Sequence, residues 1–235
     1  MSIPFFYISN YDGTQKQLLL DEDTSRHVVQ VLRMKEGEKL NLTNGKGALQ
    51  TCEITDANKK HCVVAVQQTQ NSKSPFRNII IAISILKNAN RFEWFLEKAT
   101  EIGVSEIIPL ICERTEKEKF RYDRMNAICI SAMLQSQQCW LPVLHQPVAF
   151  NKAVSSAVAQ QKFIAHCAEG NKQLLGHFQI DKLSNSLIVI GPEGDFTPGE
   201  IELALQNGFQ PVSLGETRLR SETAGVVATI LLCHT

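Results

Sequence analysis

Residues 78–86 read Asn-Ile-Ile-Ile-Ala-Ile-Ser-Ile-Leu, an almost unbroken β-branched run with no regular alternation of polar and apolar positions. A strand with one wet face alternates, whereas a run like this suits a strand covered on both faces, the kind found in parallel sheets flanked by helices. The next segment agrees. Phe92, Phe95, Leu96, Ala99 and Ile102 recur at helical spacing across 91–102, and Gly103 stands where a helix C-cap belongs. Further strands are expected at 106–112, 163–167, 186–190 and 211–214, with helices at 122–138 and about 222–233. Alternating strand and helix predicts an α/β domain built on a parallel sheet.

The first seventy or so residues have a different texture. Short β-favouring runs at 5–9, 39–43, 49–54 and 62–67 are separated by turn signals at Tyr11-Asp12-Gly13, Asn44-Gly45-Lys46-Gly47 and Asp56-Ala57-Asn58. One helix, about 23–33, places Val28, Val29 and Leu32 on one side. The pattern predicts a small β-barrel. A polar stretch, Thr69-Gln70-Asn71-Ser72-Lys73-Ser74-Pro75, reads as the linker, which divides the chain into a barrel domain at 1–72 and an α/β domain at 73–235.

Composition narrows the function classes. Twenty-four Lys and Arg balance 24 Asp and Glu, so the chain is no binder that holds phosphate by overall positive charge, and RNA contacts need a local basic face. Seven cysteines, at 52, 62, 112, 129, 139, 167 and 233, form no C-x-x-C pair and no dense framework, which reads as reduced thiols of a cytoplasmic protein. The adjacent pairs His61-Cys62 and His166-Cys167 lack a companion ligand two to four residues away, so no metal site is expected. The amino-terminal stretch lacks the features of a signal peptide, and the apolar runs at 79–86 and 224–233 fall short of the ~20 residues of a membrane helix.

The segment richest in chemistry is Leu187-Ile-Val-Ile-Gly-Pro-Glu-Gly-Asp-Phe-Thr-Pro-Gly-Glu200. A buried strand ends at Gly191, a turn comes next, and a helix begins with Thr197 as N-cap, Pro198 as its first residue and Glu200 completing a capping box. In parallel sheets ligands sit beyond the carboxyl ends of strands. Gly191 and Gly194 admit close approach and a positive φ there. A tight turn and a cofactor loop both fit these residues; a dinucleotide fingerprint does not. A second strand exit, Val212 to Ala224, leads through a polar loop into a strongly apolar helix, with Arg218, Arg220, Glu222 and Thr223 at its start and Ser221 as the expected N-cap. The exposed amides of such a start suit an anion, although an Arg/Glu cluster that pairs with itself fits the residues equally well.

These blocks together resemble a known family, the bacterial 16S ribosomal RNA uracil-N3 methyltransferases of the knotted (SPOUT) methyltransferase superfamily. The resemblance rests on His27-Val-Val-Gln-Val-Leu-Arg-Met34 with the Gly37 turn and Asn44-Gly45, and on RFEWFLEKATEIGVSEIIPL at 91–110. It rests also on IGPEGDF at 190–196 and SLGETRLRSETA at 213–224, and so covers nearly the whole chain. It implies a PUA-like barrel for RNA, a methyltransferase domain with a carboxyl-terminal trefoil knot, a homodimer, S-adenosylmethionine as cofactor, and 16S ribosomal RNA or the small subunit as partner. The cofactor residues it implies are His166, Cys167, Ala168, Glu169, Ile190, Gly191, Pro192, Glu193, Gly194, Leu214, Gly215 and Leu219.

Uracil N3 carries a proton and is a poor nucleophile until that proton leaves. Arg220 is the candidate for meeting the negative charge that then spreads over O2 and O4, and Glu222 for accepting the proton. Candidate RNA contacts are His27, Arg33 and Lys35 in the first domain and Arg91, Lys98 and Arg114 in the second. Methylation of another RNA, such as a transfer RNA ribose, and a non-catalytic role in ribosome assembly are the competing functions. The chain departs from the family pattern in three places: Ser2 and Phe5 where an arginine is common, Leu134 and Gln138 where Glu-Gln-x-x-Arg is common, and Asp195 for the last glycine of Gly-Pro-Glu-Gly-Gly.

Overall fold

In the computed structural model the described residues are 3–9, 11, 14–73 and 77–234. Ser2, the Asp12-Gly13 turn and the Ser74-Pro75 end of the linker lie outside them. The chain forms two compact units, Met1–Ser74 with Met133–Leu141, and Pro75–Ala132 with Pro142–Thr235.

The first unit is a five-stranded sheet of β1 (Phe5–Tyr7), β2 (Gln17–Leu19), β3 (Lys39–Thr43), β4 (Ala48–Asp56) and β5 (Val63–Asn71), in the order β1-β3-β4-β5-β2. Only β1 and β3 run parallel. Alternation along β4 turns Gln50, Cys52 and Ile54 into a core with Leu40, Leu42 and Val64. β5 continues to Asn71, so the first residues expected of the linker are strand. The expected helix is shorter and irregular: α1 (Glu22–Arg26), capped by the Asp21 carboxylate, passes into a π-helical turn at His27–Val31. That change of pitch buries Val28 but leaves Leu32 43% exposed, against its expected place on the apolar side.

Residues 133–141, expected in the second domain, complete the first unit. The Gly47 amide donates to the Cys139 carbonyl (2.8 Å) and the Leu141 amide to the Gly45 carbonyl (2.9 Å). Trp140 lies against Gly47, where a Cβ would stand 2.4 Å from the indole and φ is +91°, so only glycine fits.

The second unit is the expected α/β domain. Its strands are β6 (Ile79–Ser84), β7 (Glu106–Ile111), β8 (Val143–Leu144), β9 (Val148–Ala149), β10 (Gln161–Ala165), β11 (Gln173–Leu174), β12 (Ser186–Ile190) and β13 (Gln210–Ser213). They form a parallel sheet in the order β11-β13-β10-β12-β6-β7-β8, with β9 also on β7. Its helices are α2 (Ala89–Ile102), α3 (Tyr122–Gln135), α4 (Phe150–Ser155), α5 (Pro198–Gln206) and α6 (Ser221–Cys233). Every residue of β12 is buried, as its apolar sequence requires of a strand covered on both faces. Gly103 closes α2 in the left-handed conformation at φ 103°.

Two features of this topology place the site. β12 lies between β6 and β10, and β13 lies on the far side of β10, so the carboxyl ends of β10, β12 and β13 are neighbours. Helix α6 packs on α2 so closely that a Cβ at Gly225 would stand 2.6 Å from the Phe95 ring. Among the described residues no helix is long and apolar enough to cross a membrane.

Candidate functional site: two cavities at the strand exits and a helix cleft

The turn after β12 is pinned from several sides. Thr197 caps α5, and the capping box with Glu200 is present. The second oxygen of Glu200 accepts the Glu113 amide (2.9 Å), and the Glu193 carboxylate accepts the Lys87 amide (3.1 Å). Gly191 is favoured by close approach, because a Cβ there would stand 3.2 Å from the Phe196 ring and 3.3 Å from its amide nitrogen. The left-handed residue of the turn, however, is neither glycine. It is Asp195, at φ 63°. Aspartate tolerates this conformation better than most residues because its side chain can bond locally, and here Oδ1 accepts its neighbour's Phe196 amide (2.9 Å). Oδ2 accepts the Cys167 amide (2.8 Å), so one carboxylate joins the β12 exit to the β10 exit.

Two adjoining cavities open on this junction. The inner one, about 340 Å³, is lined by Ile190, Gly191, Pro192, Glu193 and Leu219, with Arg91, Arg220 and Ser221. The outer one, about 730 Å³, is lined by His166, Ala168, Glu169 and Gly194 on an apolar floor that includes Phe196, Ile201 and Leu205. Cys167, Asp195 and Arg218 border both. Volumes of this size suit a small-molecule ligand. Leu214 and Gly215, expected in the cofactor site, line neither cavity; the Gly215 amide and carbonyl instead bond the Ser213 hydroxyl, at 3.3 and 2.7 Å. Asp195, Arg218, Ser221 and Ala224 are lining residues that the sequence reading does not assign to the cofactor. The first marks the family departure, and the other three come from the first turn of α6 and the loop that leads into it, which the fold brings beside the β12 exit and no local pattern reveals.

The loop after β10 is held by Lys172, whose ammonium donates to the carbonyls of His166 (2.8 Å) and Ala168 (2.7 Å). Burial, then that ammonium, hold the His166 imidazole below its ordinary range against the opposing pull of Asp195. Its Nδ1 is buried with no partner among the described residues. Cys167 is exposed, unlike Cys52, Cys62, Cys112 and Cys129, and burial pushes the Cys112 thiol up to about 12.

At the start of α6 the cap is Arg220 rather than Ser221, and no side chain caps the helix. Ser221 is its first residue because Arg220 keeps extended φ and ψ. Glu222 is only 6% exposed. Its Oε1 lies 3.6 Å from Arg91 Nε, and its Oε2 is buried without a partner among the described residues. A third cavity, about 340 Å³, sits against this carboxylate and is lined by Asn90, Arg91, Trp94, Arg220, Glu222 and Thr223.

The expected RNA residues divide by what holds them. His27, Arg33 and Lys35 are exposed on one stretch of the first unit, with Arg33 at φ 56° and the His27 ring edge-on to Phe6. Arg91 faces Glu222. Lys98 is held by Glu97 and Glu101, and Arg114 donates to the Gly194 carbonyl (2.8 Å), which makes it a tether of the turn.

Residues 72–233 match the RNA methyltransferase domain family, and residues 20–67 match the RNA methyltransferase PUA domain. The chain is similar to the crystal structure of a probable rRNA-methyltransferase from Porphyromonas gingivalis, at 37% identity over 99% of this chain and 100% of that one, with a TM-score of 0.90. It is also similar to a methyltransferase from Legionella pneumophila solved with bound cofactor SAM, at 32% identity over 99% and 97% of the two chains and a TM-score of 0.87. The ribosomal RNA small subunit methyltransferase E of Bacillus subtilis is 28% identical over 216 residues, 86% of this chain and 84% of that protein.

Proposed function

The chain belongs to the RNA methyltransferase family and is an S-adenosylmethionine-dependent ribosomal RNA methyltransferase, and we propose that its acceptor is N3 of one uridine in 16S RNA. The observation that carries the proposal is the arrangement at α6, where a cavity walled by strand exits adjoins a cleft that holds a buried, half-unpartnered carboxylate beside Arg91 and is also lined by Arg220.

The residues present fit the cofactor. S-adenosylmethionine supplies a methyl carbon made electrophilic by its sulfonium. Glu193 and Asp195 offer carboxylates to cationic groups, while Arg218 and the uncapped start of α6 suit a carboxylate. The buried Nδ1 of His166 lacks the partner a ligand would bring. Ile190, Gly191, Pro192, Glu193, Leu219 and Cys167 would hold the group in the inner cavity, with His166, Ala168, Glu169 and Gly194 bordering the outer one. The work asked of these loops is positioning, and their pinning by Glu193, Glu200, Arg114 and Asp195 serves it.

Glu222 accepts the N3 proton at Oε2, and Arg220 meets the charge left on O2 and O4. His27, Arg33 and Lys35 supply cations for RNA at the first domain, residues 1–72, and Arg91 does so at the second, residues 73–235. The family reading brings with it a cytoplasmic homodimer and a carboxyl-terminal knot. The insertion of β12 between β6 and β10 supports the knot.

The test incubates the protein with labelled S-adenosylmethionine and small ribosomal subunits, followed by mass spectrometry of the nucleosides. N3-methyluridine is the expected product. Label on a ribose or on transfer RNA overturns the acceptor, and calorimetry showing no cofactor binding would favour the assembly role instead.

A further inference from the structure

Resting on that reading, we infer that the cleft between α2 and α6 seats the target base against the Trp94 indole, and that Arg91, Glu222 and Arg220 read its N3 edge. Three observations converge on this. Trp94 is 42% exposed, although Phe92, Phe95 and Leu96 of the same helix are buried. A broad aromatic surface at the rim of a cavity of about 340 Å³ is a platform for a planar ligand. An enzyme that modifies a base edge takes that base out of its stack, and an aromatic side chain replaces the lost stacking.

The second observation is continuity. Arg91 and Arg220 line both this cleft and the inner cavity, so a base in one faces a methyl donor in the other. The third is the pattern of donors and acceptors. Arginine only donates and an ionised carboxylate only accepts, so Arg91, Glu222 and Arg220 present donor, acceptor and donor. The N3 edge of uracil presents the complement: O2 and O4 accept on either side of an N3–H that donates. Cytosine offers an unprotonated N3 to the carboxylate and an amino group to an arginine, two like-with-like contacts in a desolvated site. The orphaned Oε2 of Glu222 is the acceptor this pattern needs.

The step balances. The N3–H bond breaks and its proton goes to Glu222 Oε2. The N3 electron pair forms the new bond to the methyl carbon, and the carbon–sulfur bond breaks with its pair left on sulfur. A sulfonium, a neutral uracil and a carboxylate become a thioether, an N3-methyluracil and a carboxylic acid, which then returns its proton to water.

The test compares the wild type, Trp94→Ala and Trp94→Phe on small subunits carrying either uridine or cytidine at the methylated position. Cofactor affinity is measured by calorimetry and association state by sedimentation. A Trp140→Phe background, in which Trp94 is the remaining tryptophan, reports fluorescence quenching by the RNA. The expected result is a loss of kcat/KM in Trp94→Ala of roughly ten- to a hundredfold, largely recovered by phenylalanine. Cofactor affinity and sedimentation stay unchanged, the RNA quenches Trp94, and transfer to the cytidine template falls more than a hundredfold. Full transfer by Trp94→Ala, cytidine methylated as fast as uridine, or a loss that tracks altered sedimentation or cofactor affinity would each overturn the base seat. If the wild type labels no ribosomal RNA at all, the functional reading itself falls, an outcome distinct from any of these.

Discussion

At the strand exits the site is shaped by loops whose main chain is tied down through Glu193, Glu200, Arg114 and Asp195, over an apolar floor that includes Phe196, Ile201 and Leu205. Between α2 and α6 the walls are side chains, Arg91 and Trp94 on one helix and Glu222 and Thr223 on the other. The first construction makes shape, because amides pinned in place admit a ligand of one outline. The second makes chemistry, because charge and a titratable proton come only from side chains. A methyl transfer needs both, and the molecule builds them separately and joins them at Arg91 and Arg220.

The division can be broken by substitutions that strike one side. The largest effect is expected from Glu222→Gln, which keeps the volume and removes the proton acceptor. Single-turnover transfer should fall by about 10²–10⁴-fold while cofactor affinity stays within twofold. A parallel loss of affinity would mean that the two regions are not separable. Gly225→Ala comes next. Its Cβ would press on the buried Phe95 ring and on Ile83, a cost of about 1–3 kcal/mol that helix propensity offsets by up to ~1. Thermal unfolding should drop by a few degrees, with transfer reduced more than cofactor binding; an unchanged melting temperature would show that α2 and α6 do not meet so closely. The smallest effect belongs to the main-chain side. Thr197→Ala removes the α5 cap and its bond to Glu113, for about 1 kcal/mol of stability by chemical denaturation, and should weaken cofactor binding without altering the rate at saturation.

The same contrast decides what can be read from the chain. The β12 strand at 186–190 and the Thr197-Pro198-Gly199-Glu200 start of α5 are visible because their physics is local: covering on both faces for one, a capping box for the other. Gly103 is visible for the same reason. Leu32 misleads because a π turn shifts the helical phase, which periodicity cannot detect. Residues 133–141 pack with the first unit through backbone bonds and a Trp140–Gly47 contact between segments far apart in sequence. At the site, Ile190 to Gly194 are legible as a strand exit. Leu214 and Gly215 line neither of the two cavities, and the chain there turns back on Ser213. Glu222 is legible as an acid beside arginines, but its burial, its pairing with Arg91 and its closeness to Trp94 are products of α6 lying on α2.

The clasp at Asp195 has a consequence for how the donor is received. Two loops whose amides share one carboxylate have already surrendered their independent motion, so an arriving molecule does not have to order them. The conformational entropy of that wall was spent during folding, and affinity there can be drawn almost wholly from contact.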